Sequence, residues 1–219
     1  MSRTTNPKAD DDERSAGAKS AATRRRILDA AALVLGRKGF SGTRLADIAK
    51  VADMQAGSIY YHFASREELV AEVMATGVNH TFETVRKALE ALPSDATAVR
   101  RLRAAMETHL LCLIENSDYA RAVSKLSGQV PGAIQAQHLA NEQAYGTLWK
   151  RLLREARDGR EIRGDLNLSA VRMLILGAMS WSIEWYKPEN GPAQHIAHDL
   201  AEMILNGLAT GTPSSPRPV

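Results

Sequence analysis

Apolar residues recur every three or four positions along most of the chain, which is the spacing of helices that bury one face. Such stripes cover residues 23–38, 43–52, 55–63, 66–92, 97–116, 118–126, 133–157, 168–186 and a last segment that includes 196–208. No segment alternates between apolar and polar residues as a half-buried strand does. The pattern therefore predicts an all-α protein.

Capping residues support the predicted helix boundaries. Thr23 and Thr43 each precede an apolar stripe and are expected N-caps, and Gly39 is expected to end the first helix. Ser65 and Glu68 have the spacing of a capping box, in which each side chain accepts a hydrogen bond from the backbone near the other. These signals predict a long helix that begins directly after Ser65.

The stretch from Thr43 to Arg66 contains two short predicted helices. Leu45, Ile48 and Ala49 give the first an apolar stripe, and Ile59 and Phe63 lie four residues apart in the second. Two short helices joined by a tight turn, the second rich in polar and aromatic side chains, are typical of a helix-turn-helix. The second helix is then expected to enter the DNA major groove.

The sequence GSIYYHF at 57–63, followed by ASREEL at 64–69, resembles the DNA-binding signature of the TetR family of bacterial repressors. The resemblance covers roughly residues 22–75 and includes RILDAA at 26–31. The family usually has Gly at the turn, where this chain has Asp53, and Ser at the start of the recognition helix, where it has Gln55. Asp tolerates the left-handed conformation better than most residues, so we expect the turn to be kept.

The resemblance implies which residues contact DNA. Thr43, Arg44, Tyr61, His62 and Arg66 would face phosphates, with Lys50 as a further candidate. Gln55, Gly57, Ser58 and Tyr60 would face base edges or the adjoining backbone. Contacts of the first kind position a protein on the duplex, and contacts of the second kind specify a sequence.

The rest of the chain is predicted to form a larger helical domain for ligand binding and dimerisation. The expected organisation is a disordered arm at 1–20, the helix-turn-helix domain at 21–66, the helical domain at 67–210 and a disordered tail at 211–219. Residues 168–186 are apolar on nearly every side, so a monomer would have difficulty burying them together with the last helix. In the TetR family the last two helices of each subunit form a four-helix dimer interface, and a dimer demands a near-palindromic operator.

Large apolar residues with a few polar groups give the helical domain the composition of a hydrophobic ligand pocket, although an ordinary core would have the same composition. The candidate lining residues are Met106, His109, Leu113, Tyr145, Trp149, Met173, Met179, Trp181 and Trp185. The segment from Trp181 to Pro188 is similar to one in TetR-type regulators of lipid and steroid catabolism, several of which respond to acyl-CoA thioesters. The resemblance implies an acyl-CoA or another hydrophobic effector, with Arg121, Lys125 or Arg151 as candidate partners of its phosphates.

Composition and charge agree with a cytoplasmic DNA-binding protein. Residues 14–66 carry 10 Lys and Arg against 3 Asp and Glu, whereas residues 67–219 carry 16 against 18. The basic N-terminal part up to residue 66 is called the head, and the slightly acidic part from residue 67 onwards is called the body. This is the electrostatic pattern of a DNA-binding domain joined to another domain. The chain has no apolar run long enough for a membrane span, and its single cysteine, Cys112, is expected in the core rather than in a disulfide.

Two other classes of function are an enzyme and a DNA-binding architectural protein. An enzyme is disfavoured because the sequence contains no triad, phosphate loop or zinc spacing, and His195 and His198 have no evident third ligand for a metal. No cofactor is therefore expected. A DNA-binding architectural protein without a ligand stays open, since composition does not tell a filled helical core from a pocket.

Overall fold

The computed structural model describes residues 7–209 as a bundle of α-helices, together with one short 3-10 helix at Pro188–Asn190. The α-helices are α1 (Pro7–Gly42), α2 (Leu45–Val51), α3 (Ala56–Ile59), α4 (Arg66–Glu90), α5 (Ala98–Glu115), α6 (Ser117–Leu126), α7 (Gly132–Asp158), α8 (Leu168–Trp185) and α9 (Ala193–Leu208). Within the described residues the only β pairing is an isolated bridge between Ile162 and Ala209. The all-α prediction is confirmed.

The first helix is longer than the sequence predicted. It begins at Pro7, so residues 7–20, expected to belong to a disordered arm, are helical. Thr23 lies inside this helix, where its hydroxyl donates to the carbonyl of Lys19. Residues 1–6 and the predicted tail at 211–219 lie outside the described residues.

Gly39 interrupts α1 as expected. Its φ of 69° and ψ of −176° lie in a region that is essentially restricted to glycine. A Cβ at this position would also come within 2.8 Å of the Gln129 side-chain oxygen. The chain therefore leaves the helical path here and continues through Phe40 towards α2.

The N-caps of α4 and α5 are side chains that the sequence places directly before each helix. The Ser65 hydroxyl accepts from the amide of Glu68 at 3.0 Å, as predicted. The Glu68 carboxylate accepts from the amide of Ala64 at 2.7 Å rather than from that of Ser65. Thr97 caps α5 by accepting from the amide of Arg100.

Two hydrophobic cores organise the bundle. The first core lies among helices α1, α2, α3, α4 and α6. It includes Ile27, Ile59 and Phe63 from the head and Ala122 and Leu126 from α6. Helix α6 lies close to α1 at Gly36. A Cβ at this position would lie only 3.2 Å from the Cβ of Arg121. The second core lies among α4, α5, α7, α8 and α9. Helix α6 thus belongs to the core of the head, although the sequence placed it in the body.

Candidate DNA-binding and ligand sites

The turn between α2 and α3 has the geometry of a helix-turn-helix. Asp53 adopts a φ of 51°, which confirms that the turn is kept with Asp in place of Gly. Helix α3 is shorter than predicted, because after Ile59 the chain continues as a tighter turn in which the amide of Tyr60 donates to the carbonyl of Gly57. Ile59 and Phe63 are buried beneath it, as expected.

Most residues predicted to contact DNA are exposed or partly exposed. Tyr60 and Tyr61 are 58 % and 89 % exposed, which is unusual for aromatic side chains on a folded protein. The other exposed candidates are Arg44, Lys50, Gln55 and Gly57, and the partly exposed ones are Ser58 and His62.

Thr43 and Arg66 differ from the prediction. Thr43 is buried, and its hydroxyl donates to the carbonyl of Gly39 at 2.7 Å. Arg44 rather than Thr43 occupies the N-cap of α2, where its backbone amide donates to the Asp47 carboxylate. The Arg66 guanidinium donates to the carbonyl of Phe40 and lies 4.1 Å from the centre of its ring. Both side chains therefore stabilise the bend after α1 instead of presenting a free group to DNA.

A cavity of about 1170 Å³ lies between the head and the helical domain. Helices α1, α4, α5, α6, α7 and α8 all contribute to its wall. The Lys, Arg, Asp and Glu side chains of its described lining are Arg24, Arg25, Lys150, Arg172 and one carboxylate, Glu142, and three histidines also line it. The cavity wall therefore combines apolar side chains with positive charge.

An aromatic cluster forms part of the cavity wall. The Nδ1 of His109 lies 2.6 Å from the Tyr145 hydroxyl, and the two rings stack with centroids 5.6 Å apart. Trp149 meets the His109 ring edge-on at 5.9 Å. Burial lowers the pKa of His109 to about 4 and raises the pKa of Tyr145. His109 is therefore neutral at physiological pH.

The predicted ligand-binding residues divide into three groups. His109, Leu113, Tyr145 and Met173 line the cavity. Met106, Trp149 and Met179 are instead completely buried in the second core. Trp181 and Trp185 lie on the surface of α8. Amphipathic spacing gives the buried face of a helix, but it does not tell which buried residues border a void.

The cations suggested for CoA phosphates are also placed elsewhere. Arg121 and Lys125 border a separate depression of about 300 Å³. Arg151 pairs with Glu155 on the surface of α7. Arg172 was not anticipated, although the structure shows why it reaches the cavity wall: its guanidinium occupies the space above Gly146, where a Cβ would lie only 2.7 Å from Nη1.

Helices α8 and α9 leave a large apolar surface uncovered in the single chain. Leu174, Trp181 and Met203 are 73 %, 66 % and 71 % exposed, and Met173 and Trp185 add to the same two helices. Contiguous exposed apolar patches are rare on soluble monomers. The expectation that a monomer cannot bury both helices is consistent with this exposure.

Family models match both parts of the chain. The model described as bacterial regulatory proteins, tetR family, matches residues 27–73, which contain the helix-turn-helix. The model described as tetracyclin repressor-like, C-terminal domain, matches residues 95–208, more than half of the chain. The chain belongs to the TetR family. It is accordingly a helix-turn-helix transcriptional regulator, and the family consists of regulators rather than enzymes.

Several known proteins resemble this TetR-family chain over most of its length. The transcriptional repressor KstR2 of Mycobacterium tuberculosis is 27 % identical over 191 residues, which cover 83 % of this chain and 90 % of KstR2. The structure of AibR in complex with isovaleryl coenzyme A and operator DNA has a TM-score of 0.72 at 23 % identity, covering 85 % of this chain and 98 % of AibR. FadR of Bacillus subtilis in complex with stearoyl-CoA has a TM-score of 0.68 at 19 % identity, covering 84 % and 98 %.

Two other expectations concern membranes and metals. Among residues 7–209, no helix combines the length and the apolar character that crossing a membrane requires. The same residues contain no group of three or more side chains suited to hold a metal ion. His198, one of the two histidines considered as ligands, has its Nδ1 3.6 Å from the carboxylate of Glu107.

Proposed function

We propose that the protein is a dimeric repressor that binds a near-palindromic operator and is released from it by an amphipathic effector, such as an acyl-CoA, bound in the cavity. The observation that carries the proposal is the shared position of α1 and α6. Both helices pack in the core of the DNA-binding head, and both contribute residues to the cavity wall. A ligand in the cavity therefore contacts the DNA-binding unit itself.

The exposed side of the helix-turn-helix supplies the DNA contacts. Gln55, Ser58 and Tyr60 reach base edges or the adjoining sugars, and Gly57 permits close approach because it has no side chain. Arg44, Lys50, Tyr61 and His62 contact phosphates. Thr43 and Arg66 support this surface from behind through their bonds to Gly39 and Phe40.

Dimerisation uses the apolar surface of α8 and α9. A two-fold axis places the same patch of both subunits in contact, so each exposed apolar side chain becomes covered in both subunits. The dimer then presents two recognition helices to successive major grooves, which are about 34–36 Å apart. The predicted four-helix interface explains why so many large apolar residues of these helices are exposed in one chain.

The cavity supports an effector with an apolar chain and an anionic head. Its volume of about 1170 Å³ exceeds that of ordinary drug-sized sites, which are roughly 300–1000 Å³. Two structures with the same fold contain CoA thioesters, isovaleryl coenzyme A in AibR and stearoyl-CoA in FadR. A void of this size supports the ligand-controlled regulator over the ligand-independent architectural protein, whose body would be fully packed.

Release requires only a modest difference in affinity. A ligand that weakens operator binding 100-fold must favour the released state by roughly 2.7 kcal/mol. Two or three hydrogen bonds to charged groups suffice, since each contributes about 1.5–3 kcal/mol.

The test is binding to DNA upstream of the protein's own gene, measured by fluorescence anisotropy at two salt concentrations. Tyr60→Ala removes an exposed ring from α3 and is expected to lower operator affinity by about 10-fold or more. Lys50→Ala should lower affinity and reduce the salt slope by about 1, whereas Lys87→Ala, an exposed lysine on the distant part of α4, should change neither. Weak binding that ignores sequence and is equal in all variants would contradict the proposal.

A further inference from the structure

Arg24 joins the recognition unit to the cavity. Its Nη1 donates at 2.6 Å to the backbone carbonyl of His62, three residues beyond the end of α3. Its Nη2 forms an ion pair with Glu72 of α4, and its guanidinium lies 4.1 Å from the centre of the Phe63 ring. The same arginine also lines the cavity. One side chain therefore contacts α4, the turn that follows α3 and the cavity.

The cavity end at Arg24 carries further charge. Arg25 follows in α1, lines the cavity and is exposed. The Tyr119 hydroxyl, also in the wall, donates to the Asp29 carboxylate at 2.8 Å. Glu142, the one carboxylate in the described lining, lies at the α7 side with its Oε1 3.3 Å from Nε2 of His138. An anion at the α1 end thus meets Arg25 and competes with Glu72 for Arg24, while the Asp29 carboxylate accepts from Tyr119.

We propose that Arg24 and Arg25 bind the anionic group of the effector. When this group binds, Arg24 changes its contact with the turn after the recognition helix and so lowers the affinity for DNA. The proposal rests on the proposed function, because it names the ligand group and the residue through which release occurs. The ligand class is an amphiphile whose anionic group is a carboxylate or a phosphate. Arg24 is a positioning residue for DNA binding, since it acts through His62 and Phe63.

The coupling follows from the geometry of a guanidinium. Its planar fork bonds two acceptors at fixed angles, so an anion that takes over Nη2 from Glu72 must turn the whole group. The bond from Nη1 to the His62 carbonyl then lengthens or breaks. His62 and Phe63 directly follow Tyr60 and Tyr61, so the end of the recognition unit loses its anchor. Linkage requires the reverse effect as well: operator DNA that fixes this end must weaken binding of the anion by the same factor.

The experiment measures ligand affinity of the full chain with and without saturating operator. The probes share one acyl chain: palmitoyl-CoA, palmitate and the neutral methyl palmitate. For the wild-type protein we expect operator to weaken binding of anionic probes about 10- to 100-fold, and to affect methyl palmitate much less. An effect with palmitoyl-CoA alone identifies phosphate as the anion, and an effect with palmitate as well shows that a carboxylate suffices.

Variants separate the anion site from a merely structural role. Arg25→Gln should weaken anionic probes about tenfold relative to methyl palmitate, as expected for the loss of one charged contact. Glu72→Gln removes the carboxylate that competes for Arg24, so anionic probes should bind several-fold more tightly. Arg24→Gln should bring the ratio of affinities with and without operator close to one. Arg154→Gln, an exposed arginine of α7 outside the cavity lining, is the matched control.

Two results would overturn the proposal. The first is a ratio of the affinities for anionic and neutral probes that is the same in the wild type, Arg25→Gln, Glu72→Gln and Arg154→Gln. The anion would then bind elsewhere, for instance near Lys150 and Arg172. The other is an Arg24→Gln protein that folds and keeps the wild-type operator effect. If Arg24→Gln does not fold, the other two variants decide, since both retain the bond to His62. Absence of operator binding by the wild type would instead refute the proposed function, while the affinities without DNA still test the anion site.

Discussion

Replacement of Trp181 tests the proposed dimer at its most exposed aromatic residue. Trp181 is surrounded by solvent over two thirds of its surface in the single chain, which leaves about 130 Å² of a Trp surface of roughly 200 Å² available for burial. At ~25 cal/mol per Å² this area stabilises the interface by about 3 kcal/mol per subunit. A two-fold interface contains the residue twice, so the upper limit for the dimer is about 6 kcal/mol.

The expected effect on dimerisation follows from this area. Even if the interface covers only half of the exposed ring, Trp181→Ala should weaken the dimer by about 3 kcal/mol, or roughly 100-fold in the dissociation constant. Trp181→Glu should be more severe, because it also places two unpaired carboxylates near the two-fold axis. The mutant should bind operator DNA weakly, since a monomer reads only one half-site.

Sedimentation velocity over nanomolar to micromolar protein, with helicity monitored by circular dichroism, gives the dissociation constant. Tyr61→Ala is the control, because it removes a still more exposed aromatic residue from the DNA-binding surface and should leave the dimer constant unchanged. A folded Trp181→Glu protein that dimerises as tightly as the wild type would refute the placement of the interface on α8 and α9.

Three further predictions concern the head and the core. Gly39→Ala should lower the free energy of unfolding by about 1–3 kcal/mol in urea titrations, because its backbone conformation is nearly exclusive to glycine; an unchanged value would show that the kink relaxes. Asp53→Gly should change the free energy of unfolding by less than about 1 kcal/mol and should not lower it. Asp53→Val should lower it by about 1–2 kcal/mol, since a φ of 51° strains a β-branched residue. His109, with a folded pKa of about 4 against about 6.5 unfolded, should make the protein lose up to ~3 kcal/mol of stability as pH falls from about 6.5 to 4. This loss is absent above about pH 6.5 because His109 is then neutral in both the folded and the unfolded state. His109→Phe should flatten the pH dependence of the urea midpoint. An equal pH dependence in both proteins would contradict the assignment of this loss to His109.

Local sequence determined the helices and the helix-turn-helix. Ser65 caps α4 as predicted, Gly39 ends the regular part of α1, and Asp53 adopts the left-handed turn. These outcomes depend on interactions within about four residues, which are set by the order of side chains along the chain. The boundary at Pro7 was missed because residues 7–20 contain few large apolar side chains, so their helix has no stripe to reveal it.

Only the tertiary structure decided what each helix face meets. Periodicity placed Met106 and Trp149 on buried faces, but whether a buried side chain fills the core or borders a cavity depends on where the opposing helices lie. Arg24 belongs to the run of three arginines at 24–26, whereas its contacts with His62 and Glu72 join residues 38 and 48 positions apart. Such long-range contacts follow from helix packing, to which the whole chain contributes, and so no local pattern encodes them.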